Sequence, residues 1–331
     1  MNIIEKTHIS GAIGLSVLKK DEKEFFIFYD QHNNELYCSN YNAKFLDSIL
    51  EKHFINNKNS LILLEELIDY GKDDEIITIW KNTYHTKKFK EFFLNNKDNT
   101  NVVPFDIRTL LFPISPFLII NDSNEFEEVD SNNIKKFINN TNIDEYFYLF
   151  FYFFDLVKKN VLYHKKYKNI IKIIKSVKKK ILSCFKTVDQ TDDIYYHFKK
   201  LKNYVNDFKN KFIDKNSKIT IAEFLKINSN KIKDTDTLNK NIITSSDNLL
   251  EDATWIEYVD TLSNCIIEFY AILLFFCFNK KQTFLHSGLV HSANIVWLLR
   301  NHYKYESIYD KGITDYENLE NNVIIKNCIA F

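Results

Sequence analysis

Short apolar runs separated by polar segments mark the first third of the chain. Each run has the length of a buried strand, and the apolar spacing at 42–53 and 74–80 predicts helices among them. The apolar runs lie at 11–18, 25–29, 60–64 and 102–105. Short strands that alternate with helices predict an α/β layer with a mostly parallel sheet.

The middle of the chain has a different pattern, with long helical periods from about 132 to 278. Two apolar runs there, 146–154 and 261–278, raise the question of a membrane span. The first run is too short to cross a bilayer, and the second carries Glu268, whose charge is costly in hydrocarbon. We therefore interpret both runs as buried helices and predict no transmembrane span.

Strand character returns at 282–287, followed by a helix at 293–301 and a last apolar run at 323–325. The fold class that we predict is α/β, with a mostly parallel sheet flanked by helices and a large all-helical insertion before the C-terminal strands. In this plan 1–130 is the first part of the α/β core, 131–279 is the insertion and 280–331 completes the core.

A lysine-rich helix within the insertion has two interpretations. Eight lysines lie between Lys165 and Lys180, around isoleucine and valine residues at helical spacing. One interpretation is a basic face for phosphate or a membrane surface. The other is a solvated helix face whose charge is balanced by Asp189, Asp192 and Asp193.

Composition and charge narrow the class of protein. The chain has 331 residues, 45% of them hydrophobic and 27% charged, which predicts a folded globular protein. It contains 44 Lys+Arg and 44 Asp+Glu, and this balance argues against a protein that coats nucleic acid. Only 5 Gly and 3 Pro stand beside 29 Phe and 19 Tyr, a bias typical of AT-rich coding in large DNA viruses and some protists.

The N-terminal apolar run and the cysteines indicate the cellular compartment. The apolar run near the N-terminus lacks a secretory cleavage site, because charged residues follow it at 19–21. The five cysteines are widely scattered, which indicates a reducing compartment and not a disulfide scaffold. We therefore expect an intracellular protein, in the host cytoplasm or the virion if it is viral.

Ionisable residues follow each predicted strand, at the edge where open parallel sheets bind ligands. The residues are Asp30 and His32, then Glu65 and Glu66, then Asp106 and Arg108, and finally His291 after Gly288. No glycine-rich phosphate loop and no G-x-S-x-G motif is present, so the sequence supports neither a nucleotide site of that type nor a serine nucleophile on a tight turn.

These residue types suit a divalent metal such as zinc, manganese or iron. Asp30, His32 and His291 are the predicted metal ligands, and Glu65 or Glu66 would take a proton from a metal-bound water. Arg108 would stabilise an oxyanion or pair with Asp106. Which glutamate faces the site stays open, because neighbouring residues on a strand point to opposite faces. The competing interpretation is a set of buried acid–base pairs that stabilise the sheet edge.

The order of these motifs resembles the superfamily of the TraB/Tiki proteins, the ChaN-like haem-binding proteins and the erythromycin-esterase-like hydrolases. The late segment Gly288-Leu289-Val290-His291 is similar to the Gly-x-x-His motif of that group, and Glu65 or Glu66 can fill its acidic position. The early motif, 29–32, matches in part, and the same order is similar to that of uncharacterised proteins of giant DNA viruses. This resemblance implies a metal-dependent hydrolase that acts on a small-molecule or peptide substrate.

The sequence departs from that group at Tyr29, where the family has glycine. A tyrosine places a ring where the family backbone comes close to the site. The alternative is therefore a non-catalytic relative that serves as a viral structural or host-interaction protein. The lysine-rich helix adds a third hypothesis, a peripheral membrane or nucleic-acid binder.

Overall fold

The chain divides into two compact units in the computed structural model. The first unit comprises 1–66, 84–106 and 274–331, and the second comprises 67–83 and 107–273. The predicted boundaries, 130/131 and 279/280, lie further along the chain than these. The structure describes residues 8–30, 43–68, 87–116, 119, 131–186, 191–228, 254–315 and 328–329.

The first unit contains two sheets, with strand orders β6-β5-β7-β3-β2-β8 and β4-β1-β9. The strands are β1 (Ile9–Ser10), β2 (Gly14–Lys20), β3 (Lys23–Asp30), β4 (Lys44–Phe45), β5 (Ser60–Leu67), β6 (Val102–Asp106), β7 (Gln282–Gly288), β8 (Glu306–Gly312) and β9 (Cys328–Ile329). The α/β class is confirmed, and each of the five apolar runs at 11–18, 25–29, 60–64, 102–105 and 282–287 overlaps an observed strand. The run at 323–325 lies outside the described residues.

The large sheet is mixed. Strands β5, β7 and β3 are parallel, whereas β2 pairs antiparallel with both β3 and β8. The charged turn between β2 and β3 explains the first antiparallel pair, because a connection as short as Asp21 and Glu22 can only join antiparallel strands. Asp21 adopts a positive φ of 54°, as tight hairpins require. Strand β8 is largely exposed and polar, so no hydrophobic pattern predicted it.

Helices flank the sheet of the first unit and make up the second. The helices are α1 (Leu46–His53), α2 (Lys87–Asn96), α3 (Arg108–Leu111), α4 (Ser131–Asn140), α5 (Ile143–Tyr146), α6 (Tyr148–Phe153), α7 (Val161–Lys166), α8 (Lys168–Cys184), α9 (Thr191–Phe208), α10 (Ile221–Asn228), α11 (Trp255–Phe278) and α12 (Leu289–Asn301). The predicted helix at 74–80 lies outside the described residues.

The core of the first unit lies on both faces of the large sheet. On one face Phe26 stacks on Phe284 at 4.7 Å, within a cluster that includes residues of α1 and α2. On the other face Phe25 stacks on Phe275, near the C-terminal end of α11, at 4.5 Å. Both faces are therefore covered, which explains why the central strands are continuous apolar runs in the sequence.

The second unit has an aromatic core. Phe147, Phe150 and Phe208 are fully buried, and Phe147 meets Phe208 edge to face at 5.1 Å. The apolar run at 146–154 is a buried helical segment, as predicted. In α8 the apolar stripe of isoleucine and valine residues is buried, and its members are Ile170, Ile171, Ile174, Val177 and Ile181.

Helix α11 is the one helix among the described residues that is long and apolar enough to cross a membrane. Of its most apolar 18-residue window, 83% is buried within the protein. Burial to this extent is typical of a helix in the core of a folded domain. The finding supports the interpretation of 261–278 as a buried helix.

Two of the cysteines differ from the sequence-based expectation. Cys184 and Cys277 are disulfide-bonded, and Cys265 is buried. The expectation of cysteines without disulfides is therefore not met at Cys184 and Cys277, because spacing along a chain does not limit which thiols a fold brings together.

Candidate functional site

Three parallel strands of the first unit end side by side. In the register of the sheet Asp30 of β3 lies opposite Gly288 of β7, and Leu64 of β5 lies opposite His286. The residues that close these strands therefore share one edge of the sheet. This is the edge at which the sequence predicted a site.

Side chains along each strand alternate between the two faces of the sheet, so the residues at this edge are divided between the faces. Phe28 and Leu64 belong to the core cluster of one face, so Asp30 and His286 project to that face and Glu65 to the other. These described residues are thus divided between the two faces. The structure forms two carboxylate–imidazole pairs, one on each face.

Glu65 and His291 form the first pair. The Oε1 atom of Glu65 lies 3.6 Å from Nε2 of His291, and both residues are buried, at 4% and 7% exposure. The Oε2 atom of Glu65 accepts a hydrogen bond of 2.7 Å from the backbone N–H of Gly288, the residue that precedes α12. A carboxylate at a helix N-terminus is stabilised by the helix dipole, so this contact holds Glu65 in place.

Two serines brace the same strand–helix junction. The hydroxyls of Ser287 and Ser292 lie 2.7 Å apart, and Ser292 also donates to the carbonyl of Ser287 at 3.0 Å. Both residues are fully buried. These contacts fix the first turn of α12, which carries His291, against the end of β7. Sequence reasoning missed Ser292, because its contact with Ser287 depends on the turn between strand and helix.

Asp30 and His286 form the second pair. The Oδ2 atom of Asp30 lies 3.9 Å from Nε2 of His286, and the same nitrogen lies 3.4 Å from the carbonyl oxygen of Gly11. The imidazole ring stacks on Phe89 of α2, with 3.7 Å between ring centroids. His286 is therefore held on the α2 side of the sheet. Its neighbour Ser287 projects to the opposite face, as the alternation of a strand requires.

Tyr29 does not lie over the Glu65–His291 pair. Its hydroxyl is 2.9 Å from the Ser16 hydroxyl on β2, and Ser16 donates to Asp310 at 2.5 Å. Strand β2 is on the side of β3 away from β5, so the ring is directed away from Glu65. Burial raises the pKa of the Tyr29 hydroxyl well above its ordinary value. The phenol is therefore neutral and serves as a buried hydrogen-bonding group.

The other predicted site residues lie at several different positions in the fold. Glu66 is buried and, by alternation, belongs to the face of Asp30, whereas Asp106 is buried at the end of β6. Arg108 is buried at the start of α3, in the second unit. His32 lies outside the described residues.

The described residues do not by themselves make up a metal centre. Within the described ranges no group of three His, Cys, Asp or Glu residues is placed to hold a metal ion. The spacing of 3.6 Å between Glu65 Oε1 and His291 Nε2 suits two ligands of one tetrahedral ion, but catalytic zinc sites use three protein ligands. The predicted ligands Asp30 and His291 belong to different pairs on different faces.

Comparisons with protein-family models, with curated proteins and with solved structures found no match to this chain.

Proposed function

We propose that this chain is a hydrolase whose acid–base pair is Glu65–His291, acting on a small-molecule or peptide substrate. One observation carries the proposal, the buried carboxylate–imidazole pair at the carboxyl edge of three parallel strands. Paired carboxylate and imidazole groups are a common arrangement for general acid–base catalysis. The motif order that resembles the TraB/Tiki, ChaN-like and erythromycin-esterase-like group is consistent with it.

The exposure of the two side chains assigns their roles. The His291 side chain keeps 9% of its surface accessible, against 3% for Glu65. The imidazole is therefore the member that meets a substrate, and the carboxylate lies behind it. Glu65 is held by the Gly288 N–H through one oxygen, which leaves the other directed at the imidazole. In this arrangement the carboxylate orients the ring and stabilises its protonated form.

The proposed reaction is the attack of water on a carbonyl carbon. The Nε2–H of His291 faces Glu65, so Nδ1 takes a proton from the water as the new carbon–oxygen bond forms, and Glu65 stabilises the imidazolium that results. As the bond to the leaving group breaks, the imidazolium returns that proton to the leaving group. The pair thus ends the cycle in its starting protonation state. No step in this sequence requires a metal.

The test is a screen of the purified full chain against esters and peptides, with wild type beside His291→Gln and Glu65→Gln. We expect a hydrolytic activity that falls at least about 100-fold in each variant, because general acid–base catalysis contributes about that much. Thr283→Val is the matched control, since Thr283 is fully buried on β7, the strand that precedes α12, and its hydroxyl makes no hydrogen bond with a described residue. Activity that survives in folded His291→Gln contradicts the proposal.

Metal content is measured on the same proteins by mass spectrometry. The predicted metal would be zinc, manganese or iron, and stoichiometric metal that is lost in His291→Gln would support the metal-dependent form of the hydrolase. A bound metal would also require ligands from residues that the structure does not describe. His32 is the first of these to replace by mutation.

A second candidate function is a non-catalytic structural or interaction protein, including a viral one. The contact between Glu65 and the Gly288 N–H favours it, because that contact stabilises the junction of β7 and α12 whether or not a substrate binds. For such a protein, Glu65→Gln changes only stability, and the wild type shows no turnover in the screen.

A further inference from the structure

One face of α8 is a row of exposed lysines in the second unit. Lys168, Lys172, Lys175 and Lys179 follow each other at spacings of four, three and four residues, and all four are exposed. This spacing places them on one side of the helix, over a length of about 16 Å. The opposite side carries the buried isoleucines. These four residues are called the lysine face below.

Acidic residues are sparse along the chain on either side of the lysine face, and Asp189, one of the residues that could balance its charge, lies outside the described residues. Between 156 and 186 the sequence contains no Asp or Glu. Nearby Lys166 pairs with Glu145, and Lys178 pairs with Asp155 at 2.5 Å. The four lysines of the lysine face form no ion pair with any described residue. A helix face of this kind attracts an anionic surface.

Exposed aliphatic side chains lie beside the lysine face. Leu182 follows Lys179 by three residues and is 57% exposed. Val161 and Leu162, in the first turn of α7, are 74% and 75% exposed. Large aliphatic groups are seldom exposed in clusters unless they have a binding role.

Charge at α7 and charge at the lysine face lie close together. The pKa of His164 in α7 is lowered first by burial and then by the positive charges of Lys159 and Lys175. Lys159 precedes α7, and Lys175 belongs to the lysine face. Helix α7 ends at Lys166 and α8 begins at Lys168, so the apolar turn of α7 and the lysine face are also neighbours along the chain.

We propose that this surface, the lysine face with Val161, Leu162 and Leu182, binds membranes that contain anionic lipids. Lysines beside exposed aliphatic side chains are the pattern of proteins that lie at a membrane surface, with the charges at the headgroups and the apolar groups among the acyl chains. Single-stranded nucleic acid is bound mainly by aromatic stacking and arginine, and neither the lysine face nor its aliphatic neighbours offers these groups.

The experiment is vesicle co-sedimentation of the full chain, with phosphatidylcholine alone and with roughly 30% phosphatidylserine added. We expect binding to the anionic vesicles only, with affinity that falls as salt rises. The test variant replaces all four residues of the lysine face by glutamine. Each lysine contributes about fivefold in affinity at an anionic surface, so the variant should lose at least about 100-fold.

The control variant replaces four other exposed lysines of the second unit, Lys135, Lys136, Lys215 and Lys218, by glutamine. It changes the net charge equally and should retain most of the binding if the lysine face is the site. The variant Val161→Ser/Leu162→Ser should weaken binding and make the remainder more sensitive to salt. Circular dichroism checks that each variant is folded.

Three outcomes overturn the proposal. The first is no difference between vesicles with and without phosphatidylserine. The second is an equal loss of binding in the control variant. The third is binding to a fluorescent DNA duplex or single-stranded RNA that depends on the lysine face, without binding to vesicles.

Discussion

Removal of the Glu65 carboxylate should destabilise the junction between β7 and α12. In the structure its Oε2 accepts the Gly288 N–H at 2.7 Å, at the N-terminus of a 13-residue helix. Glu65→Gln keeps an acceptor for this N–H but removes the charge. The change should cost about 1–2 kcal/mol, from the weaker hydrogen bond and the lost helix-dipole interaction.

Glu65→Ala should cost more than Glu65→Gln. It leaves the Gly288 N–H buried without its acceptor, which costs about 1–3 kcal/mol. It also removes one buried methylene group, Cγ, at about 0.8 kcal/mol. We therefore expect a total loss of about 2–4 kcal/mol.

The assay is urea unfolding combined with hydrogen exchange of peptides from 282–301. Trp297 lies on α12, but the fluorescence also includes Trp80 and Trp255, so hydrogen exchange is the measurement specific to the helix. Both variants should accelerate exchange in α12, with the larger effect in Glu65→Ala. The control is Glu22→Gln, which removes an exposed carboxylate paired with Lys281 and should leave α12 unchanged. Equal stability of Glu65→Ala and wild type would refute the assignment of Glu65 as the anchor of α12.

Three further predictions concern stability. Thr283→Val should raise the free energy of unfolding by about 1 kcal/mol in urea titration, because the buried Thr283 hydroxyl makes no hydrogen bond with a described residue; a loss of stability would contradict this. Thr254→Ala should lower it by about 1 kcal/mol, since Thr254 and Glu257 cap α11 reciprocally, whereas Thr254→Ser should retain the cap. The pKa of His164 is lowered from its ordinary 6.5, so the unfolded chain binds the proton more tightly and stability should rise as pH increases up to about 6.5. Melting temperatures measured across that range should show a smaller rise in His164→Gln, and an unchanged rise would exclude His164 as the source.

Much of the strand and helix content could be predicted from the sequence alone. Strands β3, β5 and β7 are buried on both faces, so their residues form continuous apolar runs that need no knowledge of their neighbours. The apolar helix α11 is recognisable for the same reason. Strand β8 was not predicted, because an exposed edge strand does not form a continuous apolar run.

The candidate site could be predicted only as an edge of the sheet. The sequence by itself determined that Asp30, Glu65 and His291 lie near strand ends, because Asp30 and Glu65 stand directly after apolar runs and His291 follows the run at 282–287 by four residues. It left the choice between Glu65 and Glu66 open, since alternation says that they face apart but does not say which face α12 covers. Only the tertiary structure decided that Glu65 joins His291 and that Asp30 joins His286. The physical reason is that the partner of a strand-end side chain depends on which helix packs on its face, and that is settled by the connection of elements far apart in the chain.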